Sequence, residues 1–236
     1  DGPEVSLFGI TDGTTIIPLQ PAQDFKRARD GDEGPNTGGM GAYSPLPWAP
    51  AGMVDEVTVR VLQPMVESMA RRGTPFIGLL YAGLALTSRG IRVIEFNARF
   101  GDPETQVVLA RLATPLGRVL LAAATGTLAD LPPLQWRPGA AVTVVIAAKG
   151  YPEQPITGDP IHGIEDAAAL AGVDILHAGT RIADDGVVSA GGRVLSVTAT
   201  GDSLHEARER AYAAVDLIRL EGAHHRRDIA TLATSD

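Results

Sequence analysis

The stretch VIEFNARFGDPET, residues 93–105, holds the densest chemistry in the chain. In a strand, residues i, i+2 and i+4 share a face. Glu95, Asn97 and, if the strand runs on, Arg99 therefore line up, with Val93 on the same parity. Ile94 and Phe96 would point the other way into apolar packing. A carboxylate and an amide oxygen two residues apart suit a hard cation such as Mg²⁺. An arginine just beyond can fork two N–H bonds onto a phosphate held by that cation. Such a trio suits phosphoryl transfer, where positioning and charge neutralisation carry most of the catalysis. Spacing alone leaves a second reading open: an edge strand with a solvated polar face and a structural ion pair from Glu95 to Arg99. The run Gly101-Asp102-Pro103-Glu104 opens the next helix, and proline and acidic residues are ordinary in a first turn. On that reading Asp102 is an N-cap.

The second candidate is Gly34-Pro35-Asn36-Thr37-Gly38-Gly39-Met40-Gly41. Glycines at 38, 39 and 41 let a backbone approach a ligand closely and offer N–H groups to an anion. No lysine follows in the Walker pattern, so this is not a Walker-type phosphate loop. Lys26, Arg27 and Arg29 form a charge run beside it. Solvated surface explains such a run, while Lys26, nearest the loop in DFKR, is also a candidate ligand contact. Met40 reads as packing more than chemistry. The histidines at 162, 177, 205, 224 and 225 show no metal-ligand spacing and read as surface or hydrogen-bonded residues.

The elements that must position these residues follow from periodicity. Val5 to Thr11 and Thr14 to Leu19 are strand-like runs linked by Asp12-Gly13, a hairpin signal. Residues 20–50 lose all periodicity, and so long a loop is functional or disordered. Apolar residues at 54, 57, 61, 65 and 69 predict a helix to about Arg71 that kinks or restarts at Pro64 and ends at Gly73. Phe76–Thr87 and Ile91–Asn97 read as an antiparallel hairpin buried in the core. Helices follow near 104–112 and 115–124. The proline-rich ADLPPLQWRPG, around 129–139, marks a boundary, dividing the chain into domains at 1–136 and 137–236. Beyond it come the strand AAVTVVIAA, a turn-rich stretch to 163, short strands near 174–178, 180–183, 187–189 and 193–199, and an amphipathic helix at 203–219. Its apolar face is Leu204, Ala207, Ala211, Val215 and Ile218. The fold class is α+β with mainly antiparallel sheet.

Bulk properties exclude several function classes. The 236 residues are 44% hydrophobic, enough for a real core. Net charge is −8, which argues against a nucleic-acid partner. There is no cysteine, so disulfides and thiolate zinc sites are excluded, and a reducing cytoplasm is the expected setting. No run of about 18 apolar residues provides a membrane span, and no basic-then-apolar leader opens the chain. Asp1-Gly2-Pro3 runs abruptly into VSLFGI, which reads as the opening of a piece cut from a larger domain.

Several long strings carry a family resemblance. DFKRARDGDEGPNTGGMGAYSP, GLLYAGLAL and VIEFNARFGDPETQ resemble phosphoribosylamine–glycine ligases, also called glycinamide ribonucleotide synthetases. IAAKGYP, TGDPIHGI, HAGTRIADDG and GGRVLSVTATG are similar to the C-terminal domain of the same family. The matches run in order from Glu4 to about Ile229. The resemblance implies an ATP-grasp C-terminal lobe followed by a small α+β domain, in an enzyme of purine biosynthesis. It implies three small-molecule substrates: ATP, glycine and phosphoribosylamine. ATP phosphorylates the glycine carboxylate, and the amine of phosphoribosylamine then displaces phosphate. By motif, Glu95 and Asn97 match the Mg²⁺ (or Mn²⁺) ligands, Arg99 the arginine at the transferring phosphate, and Glu4 an acidic residue near the nucleotide ribose. Lys26 is placed with the nucleotide. Asn36, Thr37, Gly38, Gly39, Met40, Gly101, Asp102 and Pro103 line the reaction centre, with Asp102 counted beside Arg99 as catalytic. Arg193, and behind it Arg181, is expected on the 5′-phosphate of phosphoribosylamine. A cytoplasmic monomer without nucleic-acid or membrane partner is expected. Full-length family members carry an N-terminal domain and an ATP-binding lobe upstream. Many relatives also place a second acidic ligand on the preceding strand, where this chain has Tyr81, Ala82 and Gly83. The alternatives are an ATP-grasp carboxylate–amine ligase with another acceptor, and a non-catalytic nucleotide-binding module.

Overall fold

The computed structural model describes residues 2–184 and 186–234. Asp1 of the opening Asp1-Gly2-Pro3 and Asp185 of HAGTRIADDG lie outside the described residues. The strands are β1 (Glu4–Thr11), β2 (Ile16–Pro18), β3 (Gln23–Asp24), β4 (Arg27–Arg29), β5 (Glu33–Asn36), β6 (Gly41–Ser44), β7 (Gly78–Thr87), β8 (Gly90–Asn97) and β9 (Ala140–Ala147). They continue with β10 (Val173–His177), β11 (Thr180–Ala183), β12 (Gly186–Ser189) and β13 (Arg193–Gly201). The helices are α1 (Met53–Val57), α2 (Gln63–Arg71), α3 (Glu104–Arg111), α4 (Leu116–Thr125), α5 (Ile164–Ala168), α6 (Leu204–Val215) and α7 (Thr231–Thr234). The mixture is α+β, and every described strand pairing is antiparallel.

The chain forms two compact units. The first comprises residues 1–23, 45–101 and 111–137; the second comprises 24–44, 102–110 and 138–236. The units therefore do not follow a single cut of the chain, because 24–44 and 102–110 join the second.

In the first unit the sheet order is β2-β1-β7-β8. The turn from β1 to β2 is four residues long rather than the two expected. The Asp12 carboxylate accepts the N–H groups of Thr14 and Thr15 at 3.0 and 2.8 Å, and Gly13 takes φ 96°. This is an Asx turn, in which a side chain replaces the backbone acceptor. The helix over 53–71 is continuous but contains a π-helical turn at Thr58–Leu62, just before Pro64. Proline cannot donate to the ladder, and a wider turn absorbs the mismatch. Gly73 then ends the helix at φ 76°.

The β7–β8 hairpin forms as read, but β8 is the edge of its sheet and mostly exposed, with Val93 at 42% and Ile94 at 51%. The expectation of a buried hairpin therefore holds for β7 alone. A bulge also shifts the register. Glu95 sits opposite Gly83, yet Val93 sits opposite Leu84, so Ile94 is the extra residue. Val93 consequently shares a face with Phe96 beside the α2 residues Met65 and Met69, and not with Glu95. Ile94, the extra residue, is about half exposed.

In the second unit β10-β13-β9-β6 form the main sheet, with Asp24 of β3 beyond β6. All eight residues of β9 are buried. Such a strand must be apolar on both faces, and its one hydroxyl, Thr143, is satisfied by Thr198 at 2.8 Å. Helix α6 lays Leu204, Ala207, Ala211, Ala214 and Val215 on β9 and β13. Ser203 caps its N-terminus by accepting the Glu206 N–H. The helix stops at Val215 instead of 219, because Arg219 pairs through its backbone with His162. The stretch 20–50 is not a loop either: it contains β3 to β6.

Candidate active site

The two candidate regions are built in different ways. On β8 of the first unit, Glu95 and Asn97 lie opposite Gly83 and Tyr81 of β7, which in turn lie opposite Ser6 and Phe8 of β1. Directly paired residues project to one face, so Glu95, Asn97, Tyr81, Phe8 and, at the start of β1, Glu4 share a side of the sheet. Its floor is fixed: the Tyr81 hydroxyl meets Ser6 Oγ at 2.7 Å, and Phe8 packs edge-on against Tyr81 and Phe100. Gly83 leaves space under Glu95, because a Cβ there would lie 3.3 Å from the Glu95 Cγ. Glu95 is exposed and Asn97 half-buried. The Asn97 amide donates to Glu95 Oε1 at 3.1 Å. Arg99 is exposed and donates to the Phe100 carbonyl at 3.0 Å, and no ion pair to Glu95 forms.

The donor set fits a hard divalent cation. Neighbouring ligands in a magnesium octahedron with 2.0–2.1 Å bonds are separated by about 2.9 Å. The Glu95 and Asn97 head groups already sit 3.1 Å apart. Turning the Asn97 amide presents its oxygen in place of its nitrogen. Among the described residues no group of three His, Cys, Asp or Glu is arranged to hold a metal ion.

The glycine-rich loop of the second unit is tied down from every side. The Thr37 N–H and hydroxyl both donate to the Lys26 carbonyl, at 2.8 and 2.9 Å. Gly38 N–H donates to the Tyr151 hydroxyl at 2.9 Å, Gly39 N–H to Thr37 Oγ1 at 3.0 Å, and Met40 N–H to the Phe25 carbonyl at 2.8 Å. The amides of residues 37–40, including those of Gly38 and Gly39 expected to face an anion, are thus spent inside the protein. The glycines serve close protein packing: a Cβ on Gly38 would lie 2.8 Å from the Arg193 Cζ, and one on Gly39, at φ 111°, would run into Pro103 Cδ. Arg193 Nη1 donates to the carbonyls of Gly38 and Asp102, both at 2.7 Å, and Nη2 to Asp102 Oδ2 at 2.9 Å. The other Asp102 oxygen accepts the Gln106 amide at 2.8 Å. Arg193, read above as a phosphate ligand, therefore has protein partners on both terminal nitrogens.

The remaining candidates are scattered. Asn36 is exposed at the end of β5, opposite Arg27. Met40 is completely buried, so only its backbone belongs to the loop surface. Gly101 and Pro103 are buried. Arg181 is exposed on β11, next to Ile182 at 86% exposure. Burial, then Arg29 for His224 and Arg227 for His225, holds both imidazoles below their usual range. Two residues that their types alone do not single out are Tyr151, whose hydroxyl accepts the Gly38 N–H, and Arg226, which is 1% exposed between Asp32 and Asp228. The Arg-x-Asp spacing at 226–228 was the only local signal of the latter.

Two family models and several relatives match the chain. The phosphoribosylglycinamide synthetase ATP-grasp (A) domain matches residues 1–105, and the phosphoribosylglycinamide synthetase C domain matches residues 141–232. The chain is 70% identical to the phosphoribosylamine–glycine ligase of Streptomyces coelicolor, over 99% of this chain and 56% of that protein. It is 56% identical to that of Mycobacterium tuberculosis, over 99% of this chain and 54% of the relative. The crystal structure of the Thermotoga maritima phosphoribosylamine–glycine ligase superposes with a TM-score of 0.87 at 34% identity, covering 98% of this chain and 56% of that one. A biotin carboxylase domain from Hydrogenobacter thermophilus, solved with MgADP and bicarbonate, shares the fold at a TM-score of 0.65 and 13% identity, over 94% of this chain and 46% of that one. The chain spans about half the length of the relatives it matches. With A-domain residues at one end and C-domain residues at the other, the chain belongs to the phosphoribosylglycinamide synthetase family.

Proposed function

We propose that this chain supplies the metal- and phosphate-holding part of an ATP-dependent ligase that joins glycine to 5-phosphoribosylamine, yielding glycinamide ribonucleotide, ADP and phosphate. In the first step a glycine carboxylate oxygen attacks the γ-phosphorus of ATP. The bond from that phosphorus to the β,γ-bridging oxygen breaks, and ADP leaves with its electron pair. In the second step the amine nitrogen attacks the carbonyl carbon of glycyl phosphate, the carbon–oxygen bond to phosphate breaks, and the amine proton passes to the medium. Activation is needed because a carboxylate is a poor electrophile at neutral pH. Glu95 and Asn97 would hold Mg²⁺ or Mn²⁺, which neutralises charge on the nucleotide phosphates when bound. Arg99, whose Nη1 donates to the neighbouring Phe100 carbonyl, would extend to the γ-phosphate oxygens. Glu4, on the same sheet face as Glu95, would accept from the nucleotide ribose, and Lys26 would contact the nucleotide. Asn36, Thr37 and the exposed surface of Gly38 would meet the ligated substrates. We assign Arg193 and Asp102 to holding that surface in shape, and keep Arg181 as the candidate for the 5′-phosphate. The domains would divide at 136/137, in a cytoplasmic monomer.

The observation that carries this reading is the Glu95–Asn97 pair on the open face of an edge strand, in a chain 70% identical to a ligase of that name. The test is ADP release by the full-length enzyme. With phosphoribosylamine present, release should require glycine and fall about 10²–10³-fold in Glu95→Gln, the loss typical of removing one preorganised electrostatic contact. Equal release with unrelated carboxylates, or an undiminished rate in Glu95→Gln, would rule the reading out.

A further inference from the structure

Arg226 is the largest fully buried side chain described, 1% exposed, and none of the chemistry above uses it. Its guanidinium forks onto Asp228, Nε to Oδ1 at 2.7 Å and Nη2 to Oδ2 at 2.6 Å. Nη1 reaches Asp32 Oδ1 at 2.6 Å and the Arg27 carbonyl at 3.3 Å, and the plane stacks over Phe25 at 4.8 Å. Two more bonds join the same segments: Gly31 N–H donates to Asp228 Oδ2 at 2.9 Å, and Arg227 N–H to Asp30 Oδ1 at 2.7 Å. Every residue of the Asp30-Gly31-Asp32 tip of the β4–β5 hairpin is thus gripped by residues 226–228.

The grip is mounted on a rigid base. The Tyr212 hydroxyl of α6 donates to the Arg226 carbonyl at 2.8 Å and accepts from Ile229 N–H at 3.2 Å. Arg208 of the same helix donates to the carbonyls of Arg227 and Ile229 at 2.6 and 3.0 Å. In the other direction the hairpin leads straight into the glycine-rich loop. Arg27 lies opposite Asn36, Arg27 Nη1 donates to the Gly34 carbonyl at 2.8 Å, and Thr37 hangs from the Lys26 carbonyl. A path of hydrogen bonds therefore runs from α6 through Arg226 and the hairpin to the loop.

A buried ion pair is an inefficient source of stability, since well-packed apolar residues do as well. What charge-assisted, forked bonds provide is a single geometry. We propose that the Asp32–Arg226–Asp228 lock is a positioning device for the ligase reaction, fixing the hairpin so that Asn36, Thr37 and Gly38 are preset for the ligated substrates. Arg193 holds the far end of the loop, and Arg226 holds the near end. The proposal rests on the substrate assignment above.

Asp32→Asn in the full-length enzyme is the first test, because Asp32 is 70% exposed on its hairpin and the fold does not depend on burying it. KM for glycine should rise at least about fivefold, with KM for ATP within about twofold and Tm within about 2 °C. Arg226→Lys, which keeps the charge but loses the fork, should raise KM for glycine less than Arg226→Met does. Hydrogen exchange at the Thr37–Met40 amides should quicken about tenfold in Asp32→Asn. A fall in Tm with unchanged KM for glycine and phosphoribosylamine would reduce the lock to structural support and overturn the proposal. Unchanged exchange and unchanged KM would do the same. Loss of glycine dependence in the unmodified enzyme would instead sink the substrate assignment, while faster exchange at the loop would still report the lock.

Discussion

The β8 edge and the glycine-rich loop both carry residues that could meet a ligand, yet they treat their polar groups in opposite ways. At the end of β8 the described contacts of the head groups are local, Asn97 to Glu95 and, just beyond the strand, Arg99 to the Phe100 carbonyl. In the loop the N–H groups of residues 37–40 and the guanidinium of Arg193 are all taken up by the protein. Groups left unspent by the fold are available for chemistry, and groups spent by it define a shape. Substitutions on β8 should therefore register in the reaction, and substitutions in the loop in stability and substrate affinity.

The largest effect expected is on β8. Glu95→Ala should lower kcat of the full-length enzyme by about 10²–10³-fold and leave Tm within about 2 °C, because an exposed edge carboxylate contributes little to folding. Steady-state kinetics beside calorimetry reads both. A large fall in Tm would erase the contrast between the regions. Gly39→Ala should do the reverse. Its φ of 111° and its contact with Pro103 leave no room for a methyl, so a loss of about 1–3 kcal/mol is expected in urea unfolding. Arg193→Met should cost about 1–2 kcal/mol for its hydrogen bonds, and should raise KM for glycine more than KM for ATP. An isolated rise in KM for ATP would place Arg193 with the nucleotide instead.

The smallest effect sharpens the comparison by pH. Burial raises the Asp12 pKa, but hydrogen bonds from Thr15, Thr14 and Leu128 outweigh it, leaving the carboxyl below its usual value. A carboxylate depressed in the folded state binds fewer protons there than in the unfolded chain. Its stabilisation is complete above the unfolded pKa of about 3.9 and is lost as pH falls through the lower folded value. Asp228 behaves the same way: burial raises it, and Arg226 and the Gly31 N–H more than offset this. Urea midpoints measured from pH 6 down to pH 3 should fall less steeply in Asp12→Asn than in the unmodified protein. Parallel curves would mean that the Asx turn carries no charge-dependent stability.

How much of this was legible in sequence depends on how local the cause was. Strand β9, helix α6 and the hairpin of β7 with β8 follow from periodicity and turn residues within each segment. Strand β6 did not, because its partner β9 lies about a hundred residues away in the chain. The parity argument placed Glu95 and Asn97 together correctly but misplaced Val93, because no residue type announces the bulge at Ile94. Three glycines in four residues read as an anion cradle. Only the structure reveals that Tyr151, Arg193 and Pro103 occupy the space those glycines leave. The candidate metal pair was legible because its cause, alternation along one strand, is local; the clamps were not, because each joins residues far apart in the chain.

The most direct test of the central claim is a crystal structure of the full-length enzyme with Mn²⁺ and a non-hydrolysable ATP analogue, recorded at the manganese edge. An anomalous peak is expected within about 2.3 Å of a Glu95 carboxylate oxygen and of Asn97 Oδ1. A peak held by other side chains, with Glu95 and Asn97 still bonded to each other, would contradict that claim.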